Sequence, residues 1–149
     1  MLPDCPELAA FARGELDAAS FPHREHVRMA FEMLRRHDFA TTAQCYSQAL
    51  RLMSSRAGRP QAFNQTLTIA FLSLIAEPLE GAADLPDFAA FLAAHPQLLD
   101  KGALLRWYSP ERLASDLARR TFLLPDLSAV SAAQLKRIVQ SSFKPFEHV

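Results

Sequence analysis

The segment TLTIAFLSLIAEPL, residues 66–79, constrains the fold more than any other stretch. Its apolar residues do not keep to one stripe. They surround most of the circumference, and a helix that is hydrophobic all round is covered on every side. The apolar run at 67–79 is too short to cross a bilayer, which takes ~20 residues, so other parts of the chain are expected to cover it. Those parts read as helix as well. Apolar residues recur at spacings of three and four, and period-two alternation is nearly absent. Ala and Leu are abundant and there are only four Gly, which favours helix over strand and tight turn. A chain of 149 residues is the size of one domain. At that length it buries roughly 70% of the surface that its unfolded form exposes. The expected architecture is all-α: a single-domain helical bundle with a central apolar helix at about 62–77 and shorter C-terminal helices.

Helices are predicted at about 6–19, 24–37, 40–56, 62–77, 86–94, 96–102, 110–120 and 132–142. Pro6 suits a first helical position, where its missing N–H is no loss. Gly58 and Pro60 in AGRP end the third helix. EPLEGAADLP, residues 77–86, reads as a loop. In YSPERL, Ser109 is the expected N-cap with Pro110 in the first turn. Ser131 and Gln134 fit a capping box. Residues 1–126 form the expected bundle. Residues 127–149 form a C-terminal helix and tail, packed on it or loosely linked through PDLSAVS.

Lys and Arg number 16, as do Asp and Glu. A chain of zero net charge does not draw in polyanions, so nucleic acid is not an expected partner. Cys5 and Cys45 form no CxxC and read as free thiols of a reduced cytoplasm. The N-terminus has no basic stretch followed by an apolar run, hence no expected secretion signal. A cytoplasmic protein without a membrane partner is expected.

Chemistry concentrates in FPHREHVRMAF, residues 21–31. Successive helical residues turn by about 100°. Val27, Ala30 and Leu34 then fall near His23, while Arg24, Glu25, Arg28, Glu32, Arg35 and Arg36 fall opposite. His23 and His26 lie on the apolar face at its N-terminal end. Burying an imidazole without a hydrogen bond costs ~1–3 kcal/mol, so both need partners. They can converge on a divalent metal or on a ligand, and a helix N-terminus favours an anionic guest. Alternatively, His23 caps the helix and His26 bonds a neighbouring backbone carbonyl. Glu77 and His95 are the candidates for a third metal ligand.

In the fourth helix, Asn64, Thr68, Phe71 and Ile75 make one stripe. Asn64 and Thr68 either face the histidines across a polar pocket or cap and back-bond their own helix. Arg106, Trp107 and Tyr108 precede a helix start. There Arg106 can clamp an anion and Tyr108 can line a pocket, or Trp107 anchors the core and Arg106 is solvated.

FPHREHVRMAFEML resembles the opening of a family of small, helical, uncharacterised bacterial proteins with the pattern F-x-H-x-x-H-[VL]-R-x-A-[WF]. The family's later segments, Y-H-E-T-x-T-x-x-[FW] and Y-S-x-x-x-L-x-S-x-x-A-R before P-D, correspond to FNQTLTIAF at 63–71 and YSPERLASDLARRTFLLPD at 108–126. The resemblance covers roughly 11–126 and implies no particular activity. Where the family has His-Glu, this chain has Asn64-Gln65. A site built from three histidines and a glutamate would here have lost two ligands, and neutral amide oxygens replace them poorly. The resemblance favours a functional pocket at His23 and His26 over a tight transition-metal site. Thr66, Thr68, Tyr108, Ser109 and Arg119 match the pattern and have a structural reading.

The leading expectation is a small-molecule pocket for a polar or anionic ligand, lined by His23, His26, Asn64 and Thr68 with Tyr108 or Arg106 nearby. Bacterial secondary metabolism is the expected setting. One alternative is an interaction or accessory subunit, homo-oligomeric or not, with an apolar patch at Phe88, Phe91 and Leu92 or on the terminal helix. The other is a metal-dependent enzyme using His23 and His26. No cofactor signature is present, because no Gly-rich phosphate loop and no matched nucleophile and base occur.

Overall fold

The computed structural model describes residues 5–82, 84, 86–127 and 132–143. It is all-helical among those residues: α1 (Pro6–Ala12), α2 (His23–Arg36), α3 (Phe39–Arg56), α4 (Gln65–Glu80), α5 (Phe88–Ala94), α6 (Pro110–Leu113), α7 (Asp116–Arg120) and α8 (Ala132–Phe143). Short 3-10 turns occupy Ala18–Ser20, Pro60–Ala62, Pro96–Leu99 and Ala103–Arg106.

Most helices begin on a side-chain cap. Asp38, Asn64, Asp87, Ser109 and Ser115 each accept a backbone N–H of the first turn of α3 to α7, which satisfies a donor that has no partner inside the helix. Pro6 and Pro110 take the expected first-turn positions. Gly58, with φ +72°, ends α3: its N–H donates to the Ser55 carbonyl and that of Arg59 to the Ser54 carbonyl, the double closure of a Schellman motif.

Several boundaries differ from the sequence expectation. The first helix stops at Ala12 instead of 19, because Gly14 (φ +66°) makes the same closure, with its N–H on the Phe11 carbonyl and that of Glu15 on the Ala10 carbonyl. The fourth helix starts at Gln65, after a separate turn at Pro60–Ala62, and runs through Pro78 to Glu80. Pro78 withholds one intrahelical hydrogen bond but sits in the last turn, so residues 77–80 are helix and not loop. The expected helix at 110–120 is two, because Ser115 caps a second start. The expected helix at 96–102 is the 3-10 turn Pro96–Leu99. The Ser131 half of the expected capping box, and the link at 128–131, lie outside the described residues.

α4 is apolar all round because it separates two cores. Leu72, Ile75 and Leu79 join Phe11, Met29, Phe31, Tyr46, Phe91 and others in the main core. On another side Ala70, with Leu67 and Phe71 beside it, packs on Leu104, Tyr108 and Leu113. α2 is enclosed more widely than its wheel implies. Met29 is fully buried, and the Glu32, Arg35 and Arg36 side chains are largely covered. Arg35 lies over the Phe31 ring, and both arginines pair with Glu32. Long charged side chains bury their stems and leave the charge to a partner. Phe91 and Leu92 are core residues and Phe88 packs against them, so the apolar patch expected on the fifth helix does not exist. No helix among the described residues is long and apolar enough to cross a membrane.

Candidate functional site

A cavity of about 390 Å³ lies between the start of α2, the middle of α3 and the first half of α4. His23, His26, Asn64 and Thr68 all line it, as do Phe71 and Ile75 from the predicted α4 stripe. The walls are otherwise mostly apolar and aromatic, with Phe21, Tyr46 and Phe63 among them.

His23 is the first residue of α2, not its cap; Pro22 holds the cap position and offers no side-chain hydrogen bond. The His23 Nε2 lies 2.9 Å from the Leu98 carbonyl. A carbonyl only accepts, so Nε2 carries the proton. In the neutral ring Nδ1 is then left with a lone pair. The ring meets Phe71 edge-on at 5.1 Å. The contact with Leu98 ties α2 to the Pro96–Leu99 turn, 75 residues away.

His26 sits one turn further in, edge-on to Phe21 at 4.5 Å. Burial, with the nearby His23 ring, pushes its pKa down to about 4 despite the Phe21 carbonyl, which favours the charged form. His26 is thus a neutral imidazole over the physiological pH range. The Tyr46 hydroxyl donates to the His26 carbonyl at 3.0 Å, and burial holds that phenol far above its ordinary pKa.

Asn64 and Thr68 have both of the roles considered for them. The Asn64 Oδ1 accepts the Leu67 N–H as helix cap, and its Nδ2 donates to the Leu113 carbonyl at 2.7 Å. The Thr68 hydroxyl donates to the Asn64 carbonyl at 2.7 Å, which leaves its oxygen free to accept. Their positions are fixed by these bonds, and both still face the cavity.

Tyr108 and Arg106 are elsewhere. Tyr108 is buried in the second core and donates to the Leu123 carbonyl at 2.8 Å. Arg106 is exposed and stacks on Trp107. Trp107 is itself exposed, so Tyr108 is the aromatic anchor in place of Trp107. Of the other matched residues, Thr66 and Ser109 hold down the extended segment 121–127, while Arg119 pairs with Asp116 on its own helix. Thr66 donates to the Thr121 carbonyl and accepts the Leu123 N–H, and Ser109 bonds Asp126 through both its N–H and its hydroxyl.

The metal reading gains no third ligand. Glu77 is exposed, His95 packs on Phe91, and neither lines the cavity. Among the described residues no three His, Cys, Asp or Glu side chains gather as a metal site. Lys101 does line the cavity, and sequence reasoning missed it. It lies between two 3-10 turns, far from either motif, and no periodicity signals it. Comparisons with family models, with curated proteins and with solved structures find no match for this chain.

Proposed function

We propose that the protein binds a small molecule with an apolar body and a polar or anionic end in the cavity between α2, α3 and α4. The observation that carries this reading is the convergence of His23, His26, Asn64, Thr68 and Lys101 on one aromatic-walled cavity. A mostly apolar cavity with a few convergent polar groups is the usual form of a small-molecule site. The polar groups divide the work. Neutral His26 and Thr68 supply hydrogen bonds, Nδ1 of His23 supplies an acceptor or a base, and Lys101 supplies the charge at the rim. The uncapped start of α2 adds N–H groups that favour a negative end.

A thermal-shift and titration screen with medium-chain carboxylates and their neutral amides tests this. A ligand at 100 times its Kd stabilises the folded state by ~2.7 kcal/mol, which raises Tm by roughly 5–10 °C in a domain of this size. Lys101→Gln lowers affinity for the carboxylate and spares the amide, while His26→Phe lowers both. A screen in which no such compound shifts Tm defeats the reading. The accessory-subunit alternative draws on one observation, the concentration of exposed Leu99, Leu105, Leu117 and Leu124 in the C-terminal third. A stable oligomer by light scattering, without any ligand effect, favours it.

A further inference from the structure

A second groove, about 600 Å³, runs between the end of α3, the turn at Pro60–Ala62 and α7. Arg51, Arg119 and Arg120 line it, with Asp116 as its one acidic residue. In a chain with equal numbers of acidic and basic residues, this is a local excess of two positive charges. Two of the guanidinium groups are held before any ligand arrives. Arg51 donates to the Gln65 Oε1 at 2.8 Å and lies over the Phe63 ring at 4.9 Å. Arg119 is paired with Asp116 on the same helix. Arg120 is exposed and has no hydrogen-bond or ion-pair partner among the described residues.

The groove adjoins the histidine cavity. Phe63 is a wall of both. A third depression shares Asn64 and Lys101 with the cavity, and Gln61 and Arg119 with the groove. A track of cations, Lys101, Arg119, Arg120 and Arg51, therefore leads away from the polar end of the cavity. One carboxylate engages one guanidinium fork; with Asp116 on Arg119, the surplus of two positive charges that remains matches a group carrying two or more negative charges.

We propose that this groove takes the phosphate or diphosphate group of a ligand whose apolar end sits in the His23–His26 cavity. The inference rests on the reading of that cavity as a ligand site and adds the substrate class: a phosphorylated or diphosphorylated molecule with an apolar tail.

The test uses the full chain at low ionic strength with four probes: inorganic pyrophosphate, octyl diphosphate, octanoate and 1-octanol, by titration calorimetry and amide chemical shifts. Octyl diphosphate is expected to bind at least about tenfold more tightly than pyrophosphate or octanoate. Its affinity is expected to fall as salt rises. Arg119→Gln/Arg120→Gln is expected to weaken both diphosphates by about tenfold or more and to spare 1-octanol. The single Arg120→Gln variant, at an exposed position, keeps the test valid should the double variant fold poorly. His26→Phe is expected to weaken the octyl compounds and to spare pyrophosphate. Absence of pyrophosphate binding, or octyl diphosphate affinity that is unchanged in the arginine variants or no better than pyrophosphate, overturns the inference. Octanoate or 1-octanol binding in that case leaves the cavity reading standing, whereas loss of all octyl binding with pyrophosphate retained removes both.

Discussion

Thr42 is fully buried on α3, and its hydroxyl has no hydrogen-bond partner among the described residues. An unpaired buried hydroxyl costs ~1 kcal/mol or more relative to a methyl of the same shape. Thr42→Val is therefore expected to raise Tm by about 2–4 °C in a domain of this size, read by calorimetry. A lower Tm would show that the hydroxyl is satisfied and that Val removes a bond. The same rule applies to His23 and His26: both line the cavity, and each ring has a carbonyl beside it. The partner assignment was not legible, because Leu98 and Lys101 reach the site through turns with no periodic signal. For Tyr108 and Arg106 the sequence leaves a pocket role open beside a structural or solvated one, and neither residue lines the cavity. An aromatic or a guanidinium beside a helix start suits a pocket wall, a core anchor or a surface stack equally well, and the choice depends on packing between distant segments.

At the scale of elements, two glycines make a controlled pair. Gly14 and Gly58 both sit at positive φ and both close a helix, but a Cβ on Gly14 would lie 2.5 Å from the Leu52 Cβ, while one on Gly58 meets nothing within 4 Å. Left-handed backbone costs an L-residue ~1–2 kcal/mol, and overpacking adds ~1–3 kcal/mol. Gly14→Ala is expected to shift the urea midpoint by clearly more than Gly58→Ala; equal shifts would mean that α1 and α3 slide apart at no cost. The strap at 121–127 gives a second prediction. Thr66→Val leaves the Thr121 carbonyl and the Leu123 N–H without their partner, a loss of roughly 2–3 kcal/mol. Limited proteolysis should then cut the strap in the variant well before it cuts the wild type. An unchanged cleavage pattern would show that Tyr108 and Asp126 hold it unaided. Caps and closures of this kind are local, which is why Asn64, Ser109 and Gly58 could be read from sequence. Gly14 and Ser115 carry the same signals. The apolar period runs straight through them and hides the break.

For the whole molecule, the apolar circumference of α4 announced a central helix, but not that it would separate two cores or that α2 would be nearly as enclosed. Those are properties of how layers meet, and one wheel at a time does not contain them. One consequence of the enclosure is a pH dependence that belongs to the fold as a unit. His26 has its pKa lowered from 6.5 to about 4, chiefly by burial, with His23 and Lys101 adding to the shift. The unfolded chain, where the ring is solvated, takes up the proton first as pH falls. Stability is thus fully present above about 6.5, declines as pH drops toward 4, and stops falling on this account below that. The total is on the order of 3 kcal/mol, at a slope of up to ~1.4 kcal/mol per pH unit. Carboxylates such as Asp38 and Asp126, whose pKa values are held low by hydrogen bonds from Thr41 and Ser109, also lose stabilising interactions at acid pH. The His26 share must therefore be taken as a difference. Urea unfolding of wild type and His26→Gln between about pH 7 and pH 5 isolates it, because the variant keeps every carboxylate and has no ring to protonate. The variant is expected to lose markedly less stability over that interval, whatever its stability at neutral pH. Parallel slopes would place the acid sensitivity in the carboxylates and would mean that the His26 ring reaches water in the folded protein.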